Sequence, residues 1–122
     1  MQPVLNRGVY VFSSVPFDTV LSKIQPIATI REPEGLTVIA EEGKARAANL
    51  ECMFRAAWIT LSVHSDLEAI GLTAAFAAAL SEAGISCNVV AGAYHDHIFV
   101  PIASAPAAME TLKALQTGKS RA

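Results

Sequence analysis

The polar side chains of this 122-residue chain are most concentrated at residues 64–68, where an apolar strand pattern changes into a helical one. Ser65 and Glu68 have the spacing of a capping box, in which a hydroxyl and a carboxylate accept hydrogen bonds from free amides at a helix start. Such amides also attract anions, including carboxylates. The segment therefore either caps a helix and does nothing more, or it supplies part of an anion site.

Two further residues would complete a ligand site around this helix start. Gly71 would let a ligand approach the backbone closely, and Asn88 on a neighbouring element offers both a donor and an acceptor. The amides and Asn88 could hold a carboxylate, while Asp66 or Glu68 held an ammonium group. This arrangement would suit a zwitterion such as an amino acid.

The three histidines form a second group with possible chemistry. On an extended chain His95 and His97 point the same way, about 6–7 Å apart, and could share a metal ion. A closed metal site needs four ligands, and only His64 offers a third imidazole. The pair of His95 and Asp96 could instead act as a general base. The bland alternative is a polar turn.

Other signs of catalysis are missing from the sequence. No serine or cysteine lies in a recognisable nucleophile motif, and no glycine-rich phosphate loop precedes a helix. Cys52 and Cys87 have no close metal-ligand spacing, and Cys87 lies in an apolar strand, as a small core residue would. We therefore expect no enzyme and no cofactor, with metal binding through histidines as the weaker alternative.

The elements that would position these residues are clearest in the second half. The strand at 58–63 alternates, so that Ile59, Leu61 and Val63 face one way while Trp58 faces the other, either buried or as an anchor between copies. A helix is predicted at 72–83, strands at 85–92 and 97–102, and a last helix at 105–116. The inward stripe of the first helix is predicted to be Leu72, Ala75, Phe76, Ala79, Leu80 and Ala83, with Gly84 as its stop.

The first half repeats this pattern in shorter form. A strand at 8–14 precedes a short helix at 16–24, two strands at 26–31 and 36–40, and a helix at 41–50. Strand, turn, strand and helix recur 62 positions later, as a duplicated split β-α-β unit would. We predict an α+β fold with two tandem βαββα units that share an antiparallel sheet, with helices on one face. The expected divisions are 1–56 for the abbreviated first half, 57–116 for the second, and a disordered tail at 117–122.

Composition and charge limit the classes of partner that the protein is expected to bind. Between residues 58 and 116 five acids stand against one base, Lys113, so the basic stripe that nucleic-acid binding usually needs is missing. The longest apolar stretch, 69–80, is too short to span a bilayer, and no secretory signal is recognisable, so a cytoplasmic protein with reduced thiols is expected. Apolar residues make up 52% and charged residues 16%, which suggests surface buried in a homodimer.

At these residues the sequence resembles a known family. The stretches WITLSVHSDLEAIGLTAAF and AGISCNVVAGAYHDHIFVP closely resemble the ACT-domain superfamily, in particular small bacterial proteins with two ACT-like halves that are related to the ACT modules of aspartate kinases and of CASTOR arginine sensors. The resemblance covers about 58–115, and 8–42 matches more loosely. It implies a ferredoxin-like fold, side-by-side pairing of units, and an amino acid bound where units meet.

The resemblance also implies site residues, because the strand-to-helix loop and the next strand line the site in that family. Together with the polar cluster, the candidate ligand-binding residues are His64, Ser65, Asp66, Leu67, Glu68, Gly71, Asn88 and Val89. The leading hypothesis is a regulatory module that binds an amino acid and signals through a change of conformation. The alternative is a dimerisation or interaction module without a ligand.

Overall fold

In the computed structural model, the described residues are 2–61 and 72–117, and they form antiparallel strands and helices. The elements are β1 (Pro3–Leu5), β2 (Tyr10–Val15), β3 (Ala28–Glu32), β4 (Gly35–Glu41), α1 (Glu42–Ala47), β5 (Phe54–Leu61), α2 (Leu72–Glu82), β6 (Asn88–Ala91), β7 (Asp96–Pro101) and α3 (Ala105–Thr117), with a 3-10 turn at Ile102–Ser104 before α3. The chain divides into two compact units, which are described in turn.

The N-terminal unit, Gly8–Ala56, is an antiparallel sheet in the order β3-β4-β2-β5, to which β5 contributes residues 54–56. Period-2 alternation places Val15 on one face, where it is buried with Leu36 and Val38 against Leu21 and Leu50. Helix α1 begins after Glu41, whose carboxylate accepts a hydrogen bond from the Lys44 amide at 3.2 Å.

Residues 16–24 were predicted to form a short helix, and this prediction was wrong. The segment forms hydrogen-bonded turns, in which the amides of Ile24 and Gln25 both donate to the carbonyl of Leu21. Gln25 is left-handed, with φ of +48°, and ends the last turn. The reason is a shortage of apolar contacts, because Val20 is 76% exposed and only Ile24 is fully buried. Short helices without such packing are unstable in water.

The C-terminal unit is an antiparallel sheet in the order β1-β5-β7-β6, with α2 and α3 packed on one face. The residues of β5 and β7 that point to this face are buried together with the inner side chains of both helices. This core consists of Ala57, Ile59, Leu61, Phe76, Leu80, Ile85, Ile98, Val100, Ala105, Ala108 and Leu112. Cys87 packs against it, as expected, and burial raises the pKa of its thiol.

The stripe predicted for α2 was partly right. Phe76 and Leu80 are fully buried, but Ala75 and Ala83 are exposed, and Ala77 packs against the core instead. The faces of an alanine-rich helix differ little in hydrophobicity, so the sequence does not indicate which face is buried. The position of the sheet beneath the helix decides which alanines are covered. Gly84 has φ of +78°, a conformation that glycine adopts without strain, and the helix ends as predicted.

The start of the chain packs with the C-terminal unit, although it precedes the N-terminal unit in the sequence. Strand β1 pairs with the end of β5, with Pro3 opposite Leu61 and Leu5 opposite Ile59. In a ferredoxin-like β-α-β-β-α-β unit the last strand lies beside the first. Here β1 occupies that place, although it comes first in the chain. The tail at 118–122, predicted to be disordered, lies outside the described residues.

Candidate functional site

Most of the predicted ligand-binding cluster lies outside the residues that the structure describes. These are the six residues from the strand-to-helix segment: His64, Ser65, Asp66, Leu67, Glu68 and Gly71. The other two candidates, Asn88 and Val89, lie at the start of β6.

Strand β6 is the last strand of its sheet, and among the described residues it pairs with β7 alone. Asn88 lies opposite Phe99 and is exposed, whereas Val89 lies opposite Ile98 and is 37% exposed. Since cross-strand partners project to the same side, Asn88 and Phe99 lie on the face of the sheet opposite α2 and α3, and Val89 projects toward those helices. The two candidates are therefore on opposite faces of one edge strand.

The face opposite α2 and α3 also carries a chain of hydrogen bonds from side chains that connects three strands. The side-chain carboxamide of Asn6, just after β1, donates to the Thr60 hydroxyl at 2.9 Å and to the Trp58 carbonyl at 3.2 Å. On β5 the Trp58 indole N–H lies 3.1 Å from Nδ1 of His97 on β7, and the Thr60 hydroxyl lies at the same distance from that nitrogen. The Trp58 ring also stacks on Phe99, with 6.3 Å between ring centroids.

These contacts determine the form of the His97 ring. An indole N–H can only donate, so Nδ1 of His97 must carry a lone pair, and a neutral ring then holds its proton on Nε2. Burial lowers the pKa of His97 and the neighbouring His95 lowers it further, while Asp96 opposes them. The hydrogen bond from Trp58 acts in the same direction as burial, because it favours the neutral ring.

The turn before β7 is built closely around the same imidazole. The Gly92 amide donates to the His95 carbonyl at 2.9 Å. A Cβ atom at Gly92 would lie 3.0 Å from that carbonyl oxygen and 3.2 Å from Nε2 of His97, so a side chain there would crowd both groups. Glycine fits this position without displacing either group, whereas a side chain would push the carbonyl or the ring aside by a few tenths of an ångström.

The histidine pair was expected to lie about 6–7 Å apart, and the ring centroids of His95 and His97 are separated by 6.4 Å in an edge-to-face contact. The third imidazole of the metal hypothesis, His64, is outside the described part of the chain. Within residues 2–61 and 72–117, no group of three His, Cys, Asp or Glu side chains comes close enough to hold a metal ion.

Sequence reasoning missed the partnership of Trp58 with His97. It placed Trp58 opposite the core face, and it considered His97 only as a metal ligand with His95 or as part of a polar turn before the strand at 97–102. The available signal was alternation, since Trp58 and Thr60 share a face of β5, while His97 and Phe99 share a face of β7. Trp58 and His97 come into contact only because β5 and β7 are neighbours in the sheet. Alternation within a strand does not predict which strands are neighbours.

Comparison with known families shows what the two units are. An ACT-domain model matches residues 1–57, and a second ACT-domain model matches residues 54–114. The chain belongs to the ACT-domain family. Its two ACT domains follow one another along the chain, as the resemblance implied, and the α+β ferredoxin-like fold predicted from the sequence is confirmed. ACT domains in general are regulatory modules that bind small ligands and are not catalytic.

Solved structures agree with this assignment. A Vibrio cholerae protein of unknown function, described as a possible transport protein, is 54% identical to this ACT protein over 91% of this chain and 86% of its own, with a TM-score of 0.83. An Agrobacterium tumefaciens protein is 13% identical over 92% of this chain and 86% of its own, with a TM-score of 0.72. Aspartokinase α and β subunits are 9% identical to this chain over 95% of this chain and 98% of their own, with a TM-score of 0.67.

The last two likenesses show the fold alone, because their identities are low. Among proteins of curated function, none matches the chain. Within the described residues no helix is long and apolar enough to cross a membrane.

Proposed function

We propose that this ACT protein is a regulatory module that binds an amino acid beside the start of β6 and passes the binding signal to a second copy of itself. The observation that carries the proposal is the position of Asn88. Its carboxamide is exposed at the first residue of a strand whose outer edge pairs with no other described strand. A carboxamide at such an edge can donate to a carboxylate and accept from an ammonium group.

An edge strand adds a second source of ligand contacts. Its unpaired backbone N–H and C=O groups are directed away from the sheet and can bind a ligand or another chain. Val89 adds a partly exposed apolar surface at the same end of β6. The sequence expectation supplies the remaining groups: the helix-start amides near Ser65 for the carboxylate, and Asp66 or Glu68 for the ammonium.

The homodimer in this proposal would form by pairing of sheet edges or of helix faces. An open β6 edge favours the former, since strand edges associate unless they are blocked. A ligand bound there would contact both copies and favour the paired state by its differential affinity for it. The same edge favours the second candidate function, an assembly module that pairs without any ligand.

Thermal-shift screening of the standard amino acids tests the proposal. A ligand at 100 times its dissociation constant would stabilise the protein by about 2.7 kcal/mol, which raises Tm by several degrees. Asn88→Ala should weaken binding about tenfold, because one hydrogen bond to a charged group is lost. Gln116→Ala, which removes an exposed carboxamide on α3, is the matched control and should bind as the wild type does.

Gly71→Val separates the two candidate functions. If the protein senses a ligand, this variant should lose binding and still dimerise, as measured by light scattering after size-exclusion chromatography. An unchanged Tm with every amino acid at millimolar concentration, in a protein that still forms dimers, would contradict sensing and support the assembly module.

A further inference from the structure

A surface cavity lies on the N-terminal ACT domain, and the residues that line it are distinct from those of the β6 edge. The C-terminal domain fills the space over its sheet with α2, of 11 residues, beside α3, of 13 residues. The N-terminal domain has turns at 16–25 in place of the first helix, and its α1 has 6 residues. The shortened helical layer leaves a surface cavity of about 390 Å³, within the range of small-molecule sites.

The cavity has an apolar part and a polar part. Ile24, which is fully buried, and the half-buried Leu50 are its apolar residues, together with Val20, which is 76% exposed. The polar part comes from one stretch of chain, where Thr19, Ser22 and Lys23 follow closely on each other. Ala48 at the end of α1 completes the lining. An apolar surface next to a few polar groups is the usual composition of a small-molecule site.

The charge of the cavity indicates the ligand. Lys23 is the one charged residue among those that line it, and no acid is among them. Within the described residues, its ammonium group has no ion pair or hydrogen bond, whereas the Lys44 ammonium donates to the Gln25 side chain at 2.6 Å. An unpaired cation beside two hydroxyl groups suits a carboxylate.

We propose that this cavity binds a small aliphatic monocarboxylate, with the carboxylate on Lys23 and the hydrocarbon against Ile24 and Leu50. Because no lining acid can pair with an ammonium group, the cavity disfavours the amino acid that carries the same hydrocarbon chain. This second site does not depend on the proposed function at Asn88, and it would give the protein two ligands of different charge.

Three six-carbon probes test this chemistry: hexanoate, hexylammonium and L-norleucine, which is hexanoate with an α-ammonium group. Each is titrated into the ¹⁵N-labelled full chain at neutral pH, and backbone amide shifts are followed by NMR. Hexanoate should produce saturable shifts at 19–24 and 48–50. Hexylammonium should produce none there, and L-norleucine should bind this cavity at least several-fold more weakly than hexanoate.

Substitutions test whether Lys23 supplies the positive charge that binds the carboxylate. Lys23→Gln should weaken hexanoate binding about tenfold, because it removes the cation, and Lys23→Arg should retain most of the affinity. Lys113→Gln, the same change of charge on α3, is the matched control and should have no effect. Ala48→Leu should reduce binding by occupying the hollow from its rim, since Ala48 is exposed and its substitution leaves the core intact.

The results divide clearly. Absence of saturable shifts with hexanoate at 19–24 and 48–50, equal binding of hexylammonium, or unchanged affinity in Lys23→Gln would each overturn the proposal. Amide shifts at 88–91 report on the amino-acid site instead. Failure of the amino acids there would leave hexanoate binding unaffected, so the two proposals fail independently.

Discussion

Replacing Trp58 by phenylalanine tests whether the indole N–H holds His97 in its neutral form. The substitution retains an aromatic ring beside Phe99 and removes the N–H that lies 3.1 Å from Nδ1 of His97. A neutral hydrogen bond contributes about 0.5–1.5 kcal/mol to stability. We therefore expect Trp58→Phe to lower the free energy of unfolding by about 1 kcal/mol at a pH well above 6.5, the ordinary pKa of histidine.

The effect should depend on pH in a defined direction. Burial lowers the pKa of His97 in the folded protein, so the unfolded chain binds the proton more readily. The contribution of neutral His97 to the free energy of unfolding is therefore fully present above pH 6.5. It falls as the pH decreases through 6.5 and levels off below the pKa of His97 in the folded protein. In Trp58→Phe the neutral ring loses a donor, so the pKa of His97 should rise and the acid-dependent loss of stability should be smaller.

The comparison of the two proteins therefore changes with pH. At high pH the wild type is more stable by the hydrogen bond. Once His97 is protonated in both, Nδ1 can no longer accept from the indole, and the difference should shrink toward zero. Two side chains of the same hairpin act on the His97 ring by their charge: His95 lowers its pKa and Asp96 raises it.

Urea unfolding across this pH range gives the free energies, and the ¹H signals of the imidazole report the pKa of His97 directly. Thr60→Val serves as the matched variant, because it removes the other group that lies 3.1 Å from Nδ1 while Trp58 remains. A His97 pKa that is unchanged or lower in Trp58→Phe would refute the reasoning. So would a stability difference that is the same at both ends of the pH range.

Three further predictions concern other residues. The Ser13 hydroxyl is buried without a hydrogen-bond partner among the described residues, so Ser13→Ala should raise the free energy of unfolding by about 1 kcal/mol in urea titrations. Ser14 is exposed, and Ser14→Ala, the control, should change the free energy of unfolding little. A loss of stability in Ser13→Ala would contradict this prediction. Phe76 is fully buried in the C-terminal core, so Phe76→Ala should cost about 3–5 kcal/mol by the same assay, and a cost below 1 kcal/mol would mean that α2 does not pack as described. Gly92→Ala should cost about 1–3 kcal/mol and shift the imidazole signals of His97, and an unperturbed ring would show that the approach to Gly92 is looser than 3.2 Å.

Some features of the fold could be predicted because their causes are local. The turn between β3 and β4 lies at Pro33 and Glu34, because proline and the glycine that follows at 35 are turn-forming residues. The end of α2 at Gly84 follows from the positive φ that glycine adopts freely. The order of strands and helices in the second half follows from periods of 2 and 3.6 residues, which belong to the chain before it folds. The family resemblance rests on that same stretch.

Other features depend on which elements become neighbours. Residues 16–24 have helical spacing, yet they form turns because too few of their side chains find a core. Strand β1 completes the C-terminal sheet because the end of β5 has a free edge, and no local pattern in residues 3–5 indicates a partner at residues 59–61. The alanines of α2 that face inward are selected by the sheet beneath them.

The candidate sites divide in the same way. Asn88 and the residues of the strand-to-helix segment could be proposed from residue type and spacing, because capping and amide chemistry are local. The hydrogen bond between Trp58 and His97 joins residues 39 positions apart, and it exists only because β5 and β7 lie side by side. The cavity around Lys23 likewise depends on a helix that did not form. Sequence by itself therefore determined the family and the order of elements in the second half, whereas tertiary packing decided which side chains meet and where space remains, since contacts between distant segments follow from the whole sheet.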